Sequence, residues 1–159
     1  MIAFMVAGTA SGVGKTTVAL AMMAALRKRG YRVQPFKCGP DFLDTGHHGA
    51  ICGRASRNLD TWMLDGEANR AIFATAIRDA DAAIVEGMMG LYDGVAGGTE
   101  EGSAAEIAKF LGLPVVLVLD AGSRARLCRT PQPGRPATSG AYGGRAMPHT
   151  PDPRSVELL

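Results

Sequence analysis

The amino-acid sequence predicts an α/β fold with a doubly wound parallel sheet that helices cover on both faces. Short, continuous apolar runs such as residues 2–8 and 114–121 are typical of strands buried on both faces. These runs alternate with segments whose apolar residues recur at helical spacing. Alternation of this kind leads to right-handed crossovers and a parallel sheet, and ligands then bind beyond the carboxyl ends of the strands.

The first strand and helix have the clearest signals. Residues 2–8 (IAFMVAG) end in a glycine-rich loop, and residues 15–30 form a helix with basic residues in its last turn and Gly30 at its C-cap. The predicted apolar face of this helix consists of Val18, Met22, Ala25 and Leu26. Residues 31–37 (YRVQPFK) predict a second strand, and Pro35 indicates that it lies near a sheet edge or ends early.

The second half of the pattern is more irregular. Residues 38–65 are predicted to be mostly loop and short helix. Residues 67–80 predict a helix whose apolar face consists of Ala71, Ile72, Ala76 and Ile77. Residues 82–87 predict a strand that ends in an acid, and residues 103–112 predict a helix. Ser103 as N-cap with Glu106 three residues on matches a capping box. The predicted sheet has about four strands, which are residues 2–8, 31–37, 82–87 and 114–121.

The stretch GTASGVGKTT, residues 8–17, has the strand–glycine loop–helix context of a phosphate-binding P-loop, so the fold is predicted to be P-loop NTPase-like. The spacing is that of a longer-loop variant, since the first glycine is Gly8 rather than residue 9. The bland alternative is a glycine turn that opens a helix beside an incidental lysine.

Residues 12–17 of this stretch have predicted contacts with ATP or Mg²⁺. The backbone N–H groups of Gly12, Val13, Gly14, Lys15 and Thr16 would surround a phosphate at the helix N-terminus. Lys15 would reach the β- and γ-phosphates, and Thr17 would contact the α-phosphate. The hydroxyl of Thr16 would bind Mg²⁺.

Acids follow the second and third predicted strands, at the same edge of the sheet. KCGPDFLD (37–44) offers Asp41 and Asp44, and VEGMMGLYDG (85–94) offers Glu86 and Asp93. A single acid in such a loop is more often solvated or caps a helix, and Asp93 before a glycine is typical of a turn. Their joint occurrence beside a P-loop predicts a metal site with additional catalytic acids.

Several stretches together resemble the amino-terminal domain of the cobyrinic acid a,c-diamide synthase family. These stretches are GTASGVGKTT, FKCGPDFLD, RNLDTWML, VEGMMGLYDG and GSAAEIAKFLGLPVVLVLDA, and the resemblance covers residues 2–121. The family is one of the P-loop amidoligases, alongside cobyric acid synthase and dethiobiotin synthetase, and is more distantly related to the ParA/MinD ATPases. Phe42 and Thr45 depart from the tyrosine and proline that are common there.

The resemblance implies ATP- and Mg²⁺-dependent amidation of the a and c acetate carboxylates of a corrin ring, through an acyl phosphate that ammonia displaces. It implies that Thr16, Asp41 and Glu86 lie on the metal side, and that Lys15, Asp44 and Asp93 are catalytic. Asn58 and Asp60 match a family motif without an assigned role. His48 matches another motif, although two adjacent histidines in a loop, His47 and His48, are more often solvated than metal ligands.

Composition limits the remaining function classes. Residues 1–121 carry 11 basic and 13 acidic residues, so the basic character belongs to the rest of the chain and is not read as a nucleic-acid signal. No membrane helix or signal peptide is predicted, and the three cysteines (Cys38, Cys52 and Cys128) form no metal-spaced pair. The predicted location is the cytoplasm. The predicted partners are a corrinoid substrate, ammonia or a glutamine amidotransferase domain in trans, and a second copy in a homodimer, but neither nucleic acid nor membrane.

Residues 122–159 differ in texture from the predicted domain of residues 1–121. They contain six prolines, five glycines and six arginines in 38 residues, with little apolar periodicity, which predicts disorder. Family members continue with further strands and a glutamine amidotransferase domain, so the sheet is expected to be incomplete and the chain truncated. A shifted reading frame after codon 121 is one explanation, which genomic sequence would test.

Two alternatives stay open beside the amidoligase reading. The first is a ParA/MinD-like regulatory ATPase, although such proteins usually carry a lysine where Ser11 stands. The second is a non-functional gene fragment, since an unfinished sheet would expose apolar surface and aggregate.

Overall fold

A computed structural model describes residues 1–95 and 99–120 of the 159-residue chain. The elements in chain order are β1 (Ile2–Gly8), α1 (Lys15–Lys28), β2 (Val33–Cys38), α2 (Leu43–Cys52), β3 (Arg57–Leu59), α3 (Gly66–Ala76), β4 (Ala82–Glu86), α4 (Ala104–Leu111) and β5 (Val115–Val118). The strands form one parallel sheet in the order β3-β2-β4-β1-β5. The predicted α/β class is therefore confirmed, whereas the predicted disorder of residues 122–159 lies outside the described residues.

Strand β1 is an inner strand of the sheet, because it pairs with β4 on one side and β5 on the other. In the β1–β4 ladder Val6 is aligned with Glu86, the last residue of β4. The loop that follows β1 and the acid that ends β4 are therefore neighbours at the carboxyl edge. This proximity is a property of strand order and cannot be read from the spacing of the two residues along the chain.

Helices cover both faces of the sheet, as the doubly wound prediction requires. Successive residues of a strand point to opposite faces, so Met5 belongs to one apolar cluster and Val6 to the other. The first cluster packs against α3 and α4 and includes Phe73, whose ring lies 4.9 Å from that of Phe36. The second packs against α1 and α2, with Met23 fully buried.

In two helices most of the predicted apolar residues pack partly buried against the core, and the most buried positions lie about one residue away from them. In α1 the buried positions are Lys15, Ala19 and Met23, four residues apart, while Ala25 is exposed. In α3 the buried positions are Asn69 and Phe73, while Ala71 is exposed. Alanine contributes little to a periodic apolar pattern, so the larger side chains and a buried asparagine decide which side faces the sheet.

The region around β2 agrees with one expectation and departs from another. β2 lies next to the edge strand β3, in agreement with the expected position near a sheet edge. Pro35 precedes the three residues, Phe36 to Cys38, that pair with β3, so the N–H that proline lacks falls before that ladder begins. The fifth strand, β3, was not predicted, since three residues (RNL) are too few to show alternation.

The predicted helix ends are confirmed in two places. Gly30 follows α1 with a φ of 88°, in the left-handed region that favours glycine, and its N–H bonds to the carbonyl of Arg27. Ser103 is the N-cap of α4, and its hydroxyl accepts from the N–H of Glu106 at 3.1 Å. Within residues 1–95 and 99–120, no helix combines the length and the apolar character that crossing a membrane requires.

Candidate nucleotide-binding site

A cleft of about 360 Å³ lies at the carboxyl edge of the sheet. It is lined by Ser11, Gly12, Gly14, Lys15, Thr16, Thr17, Lys37, Asp41, Asp44, Glu86, Met88 and Met89. The lining residues come from the segments that follow β1, β2 and β4, which the parallel topology brings to one edge. A larger groove of about 820 Å³ runs between β3 and α3, but none of the predicted site residues lines it.

The glycine loop, residues 8–14, turns sharply before α1. Gly12 and Gly14 have φ values of 79° and 96°, which residues other than glycine rarely adopt. A Cβ on Gly8 would lie 2.5 Å from Cγ2 of Val13 and 2.9 Å from Cγ of Lys15. No side chain among the described residues caps the N-terminus of α1 at Gly14, so the first N–H groups of the helix are available to an anion.

Lys15 begins α1 and is largely buried against this loop. Its ammonium group donates to the carbonyl oxygen of Ala10 at 2.8 Å, within the turn of the glycine loop. Burial lowers the pKa of Lys15, and the nearby ammonium of Lys37 lowers it further, while nearby carboxylates oppose this shift. A phosphate in the cleft would supply the anion that this cation lacks at short range. Thr17 also lines the cleft, one position further along the helix.

Thr16 and Glu86, both predicted on the metal side, are in contact. The Thr16 hydroxyl donates to Oε1 of Glu86 at 2.5 Å and lies 3.4 Å from Oδ2 of Asp44. Glu86 is fully buried at the end of β4. Burial by itself would raise its pKa, but the hydrogen bonds from His48, Thr16 and Lys37 outweigh burial and the pKa is lowered. The carboxylate is therefore kept ionised.

Asp41 lines the same cleft, but its carboxylate already has backbone partners. Its Oδ1 accepts from the N–H groups of Leu43 at 2.9 Å and Asp44 at 3.1 Å, at the start of α2. Its Oδ2 lies 3.9 Å from the ammonium of Lys37. Asn58 supports this turn by donating to the carbonyls of Gly39 and Asp41. Asp41 thus both shapes the start of α2 and faces the cleft.

Lys37 is a site residue that the sequence reasoning missed. Its ammonium lies 2.6 Å from Oδ2 of Asp44 and 2.9 Å from Oε1 of Glu86. Burial by itself lowers its pKa, but the hydrogen bonds to these two acids outweigh that effect and the pKa is raised. A lysine at the carboxyl end of a buried strand, just before two acids, was the available signal.

His48 contradicts the expectation of a solvated loop histidine. It lies in α2 and is fully buried, whereas His47 beside it is exposed. Its Nε2 is 2.7 Å from Oε2 of Glu86, and its Nδ1 is 3.2 Å from the hydroxyl of Ser56. The available signal was its spacing of four residues from Asp44, which puts both side chains on one helix face.

Asp93 lies in a turn next to the glycine loop. Its Oδ2 accepts from the N–H of Gly90 at 2.7 Å, and its own N–H donates to the Gly90 carbonyl at 3.0 Å. The next residue of this turn, Leu91, donates its N–H to the Gly8 carbonyl at 2.7 Å. Asp93 does not line the cleft, although its charge opposes the lowering of the Lys15 pKa that burial causes. The turn keeps Asp93 close to the loop without a direct contact with the other acids.

Asp60 also has a structural function in the described part of the chain. Its Oδ1 accepts from the N–H groups of Trp62 at 2.8 Å and Met63 at 3.0 Å, which closes a turn after β3. The buried amide of Asn69 braces the same turn through the N–H and the carbonyl of Asp60. This part of the RNLDTWML motif therefore holds the turn that follows β3.

The oxygen donors in the cleft fit a magnesium ion that a phosphate also holds. Mg²⁺ prefers oxygen ligands and usually combines one or two carboxylates with phosphate oxygens and waters. Thr16 and Glu86 offer a hydroxyl and an ionised carboxylate in contact. Among the described residues, no group of three or more His, Cys, Asp or Glu side chains is arranged to hold a metal alone. A magnesium site here would need further oxygen ligands, such as those of a phosphate and of water.

A parallel α/β sheet with an uncapped helix N-terminus, a glycine loop and a buried acid at its carboxyl edge defines a nucleotide-binding domain. Comparison with known families agrees, because the model of the CobQ/CobB/MinD/ParA nucleotide binding domain matches residues 4–113. The chain belongs to this family, and the resemblance inferred from the sequence motifs is thereby confirmed.

Curated relatives narrow the family further. The chain is 56% identical over 118 residues to cobyrinate a,c-diamide synthase of Salmonella typhimurium, covering 74% of this chain and 26% of that protein. It is 52% identical over 121 residues to the Priestia megaterium protein of the same name, covering 76% and 26%. It is 50% identical over 121 residues to hydrogenobyrinate a,c-diamide synthase of Streptomyces coelicolor, covering 76% and 25%. The chain thus spans about a quarter of the length of these relatives.

Proposed function

We propose that this chain is the ATP- and Mg²⁺-binding part of an enzyme that amidates the a and c acetate carboxylates of cobyrinate or hydrogenobyrinate, in cobalamin biosynthesis. The observation that carries the proposal is the contact between Thr16 and Glu86 beside the uncapped N-terminus of α1. The names of the similar proteins supply the corrinoid acceptor.

The glycine loop would act as a P-loop. The N–H groups of Gly12, Val13, Gly14, Lys15 and Thr16 would surround the phosphates of ATP, with Lys15 at the β- and γ-phosphates and Thr17 at the α-phosphate. Thr16, Glu86 and Asp41 would hold Mg²⁺. An ion held by these residues would neutralise negative charge on the phosphates.

The proposed reaction has two steps that balance. A substrate carboxylate oxygen attacks the γ-phosphorus, the bond to the β-phosphate oxygen breaks, and ADP and an acyl phosphate result. Ammonia then attacks the acyl carbon, inorganic phosphate leaves with the bonding electrons, and loss of a proton gives the amide. Phosphorylation is needed because a carboxylate is a poor electrophile at neutral pH.

The chain's own residues would contribute mainly position and charge. Lys15 and Lys37 place two cations beside the cleft, which favours the negative charge of the transferring phosphoryl group. Asp44 would orient the reacting carboxylate group from the start of α2, and Asp93 would act on the intermediate from its turn beside the glycine loop. We assign the nitrogen supply to free ammonia or to a glutamine amidotransferase domain acting in trans, and a homodimer is the proposed assembly.

The first test is calorimetric titration of the 159-residue chain with ATP, with and without Mg²⁺. The wild type should bind, Lys15→Ala should lose binding, and Lys28→Ala, an exposed lysine at the end of the same helix, should bind normally. Absence of binding by a folded wild-type chain would overturn the nucleotide assignment.

The second test adds the acceptor. Cobyrinate and ammonia should stimulate ATP hydrolysis, and mass spectrometry should detect the mono- and diamides. ATP hydrolysis that cobyrinate does not stimulate, but that other partners do, would favour a ParA/MinD-like ATPase instead. An aggregated chain that binds nothing would indicate a non-functional fragment.

A further inference from the structure

We propose that His48 is a positioning residue for the nucleotide site, which holds the Glu86 carboxylate so that Oε1 faces Thr16. The inference rests on the proposed function, since it takes Glu86 and Thr16 as the residues that hold the metal. The juxtaposition that carries it is a fully buried His48–Glu86 contact directly behind the Thr16–Glu86 contact.

The two oxygens of Glu86 have separate partners. Oε1 accepts from the hydroxyl of Thr16 at 2.5 Å and from the ammonium of Lys37 at 2.9 Å, on the side of the cleft. Oε2 is 2.7 Å from Nε2 of His48, on the side of α2. Rotation of the carboxylate about its last bond would exchange these oxygens, and the His48 contact opposes that rotation.

The ring of His48 is itself fixed. Its Nδ1 lies 3.2 Å from the hydroxyl of Ser56, just before β3. A neutral imidazole has one donor and one acceptor nitrogen. Because an ionised carboxylate only accepts, Nε2 must donate to Glu86, and in a neutral ring Nδ1 then accepts from the Ser56 hydroxyl. Donation therefore runs from Ser56 to His48 and from His48 to Glu86, while Thr16 donates to the other oxygen of Glu86.

His48 also connects the two acid-bearing elements of the site. It lies one turn after Asp44 on the same face of α2. Its contact with Glu86 ties that face to the end of β4, so the positions of Asp44 and Glu86 relative to Thr16 depend on each other. Partners of this kind behind a metal-binding carboxylate typically account for about 10- to 100-fold in metal affinity or activity.

The test measures ATP affinity of the full chain by calorimetry, once in EDTA and once in Mg²⁺, for four proteins. They are the wild type, His48→Leu without a donor, His48→Gln with an amide donor of similar reach, and His47→Leu on the exposed neighbour. The gain in ATP affinity caused by Mg²⁺ should fall by about 10- to 100-fold in His48→Leu. Affinity in EDTA should be unchanged, His48→Gln should recover most of the gain, and His47→Leu should match the wild type.

Other outcomes distinguish a failure of this inference from a failure of the proposed nucleotide-binding function. If the wild type binds Mg²⁺ and ATP and His48→Leu keeps the full Mg²⁺ effect, the positioning role is wrong and the nucleotide function stands. Equal loss in EDTA and in Mg²⁺, with no rescue by glutamine, would show a merely structural histidine. A wild type that binds no nucleotide overturns both.

If His48→Leu does not fold by circular dichroism, Ser56→Ala replaces it as the deciding variant. That change removes only the contact to Nδ1. It should reduce the Mg²⁺ effect while leaving the affinity in EDTA unchanged, and an unaltered Mg²⁺ effect would overturn the inference.

Discussion

The ammonium of Lys37 lies 2.9 Å from the carboxylate of Glu86, and both side chains are buried at the carboxyl edge of the sheet. Asp44 completes the arrangement at 2.6 Å from the same ammonium. The stability of the edge therefore depends on the pairing of one buried cation with the carboxylates around it. A buried charge that loses its partner is costly, because neither water nor another ion replaces it.

Lys37→Met should reduce the free energy of unfolding by about 3 to 5 kcal/mol, since it leaves Glu86 buried without its cation. Urea unfolding followed by circular dichroism measures the change. Adding Glu86→Gln to this variant should recover part of the loss, because the stranded charge is removed. Lys109→Met, in an exposed pair with Glu100, is the control and should change stability little. A Lys37→Met protein as stable as the control would contradict this dependence on pairing.

Gly8→Val should lower the affinity for ATP, and this effect should be larger than its effect on the stability of the fold. Even a Cβ at this position would lie 2.5 Å from the Val13 side chain and 2.9 Å from that of Lys15. The glycine loop would have to move, and Lys15 with it. Calorimetry against ATP gives the affinity, and retention of the wild-type value would mean that the loop adapts without cost.

Gly46→Ala provides a matched glycine substitution away from the cleft. Gly46 is an exposed residue of α2, and a Cβ there meets nothing within 4 Å. Alanine should stabilise the chain by about 0.5 to 1 kcal/mol, because glycine is a poor helix former. Its ATP affinity should equal that of the wild type. Thermal unfolding scans of both glycine variants distinguish damage to the loop from a general effect of an added methyl group.

Asn69→Asp should destabilise the turn after β3. The buried Asn69 amide accepts from the N–H of Asp60 and donates to the carbonyls of Asp60, Leu64 and Asp65. Aspartate keeps the acceptor but loses all three donated bonds, and unsatisfied buried groups cost about 1 to 3 kcal/mol each. A loss of roughly 3 kcal/mol in urea unfolding is expected. Asp65→Asn, which alters only the exposed cap of α3, should cost much less.

Cys38 and Cys52 should be unreactive thiols in the folded chain. Burial raises the pKa of Cys38 to about 12 and that of Cys52 to about 11. A raised thiol pKa favours folding below the unfolded value, and this contribution is lost as pH rises from about 9 through the folded values. Iodoacetamide at pH 8 should label both only in urea, as peptide mass spectrometry would show. Labelling without urea would mean that these thiols are accessible.

The sequence predicted the elements with long, regular patterns and missed those without them. β1, α1 and α4 follow from continuous apolar runs, a C-cap glycine and a capping serine. β3 could not be predicted, because its three residues acquire strand geometry only by pairing with β2. Helix α2 contains two glycines and two histidines and is stabilised by tertiary contacts rather than by helix propensity.

Single acids of the candidate site were easier to predict than their partners. Glu86 was recognisable because an acid at the end of a buried strand is unusual. Lys37 and His48 were not, since a lysine or a histidine is normally solvated and both are buried here only because acids meet them. The contacts of Lys37 and His48 with these acids depend on strand order and on which face of α2 packs against the sheet. Sequence patterns do not specify either.

The contact between Thr16 and Glu86 joins residues 70 positions apart. The contact can therefore form only once β1 and β4 have paired, so the site is complete only in the assembled sheet. A ligand that contacts both residues would hold the start of α1 and the end of β4 together. It would bind the folded chain but not the unfolded chain. By mass action, at a concentration 100 times its dissociation constant, it would add about 2.7 kcal/mol to the stability of the fold. Folding and ligand binding are in this sense thermodynamically coupled.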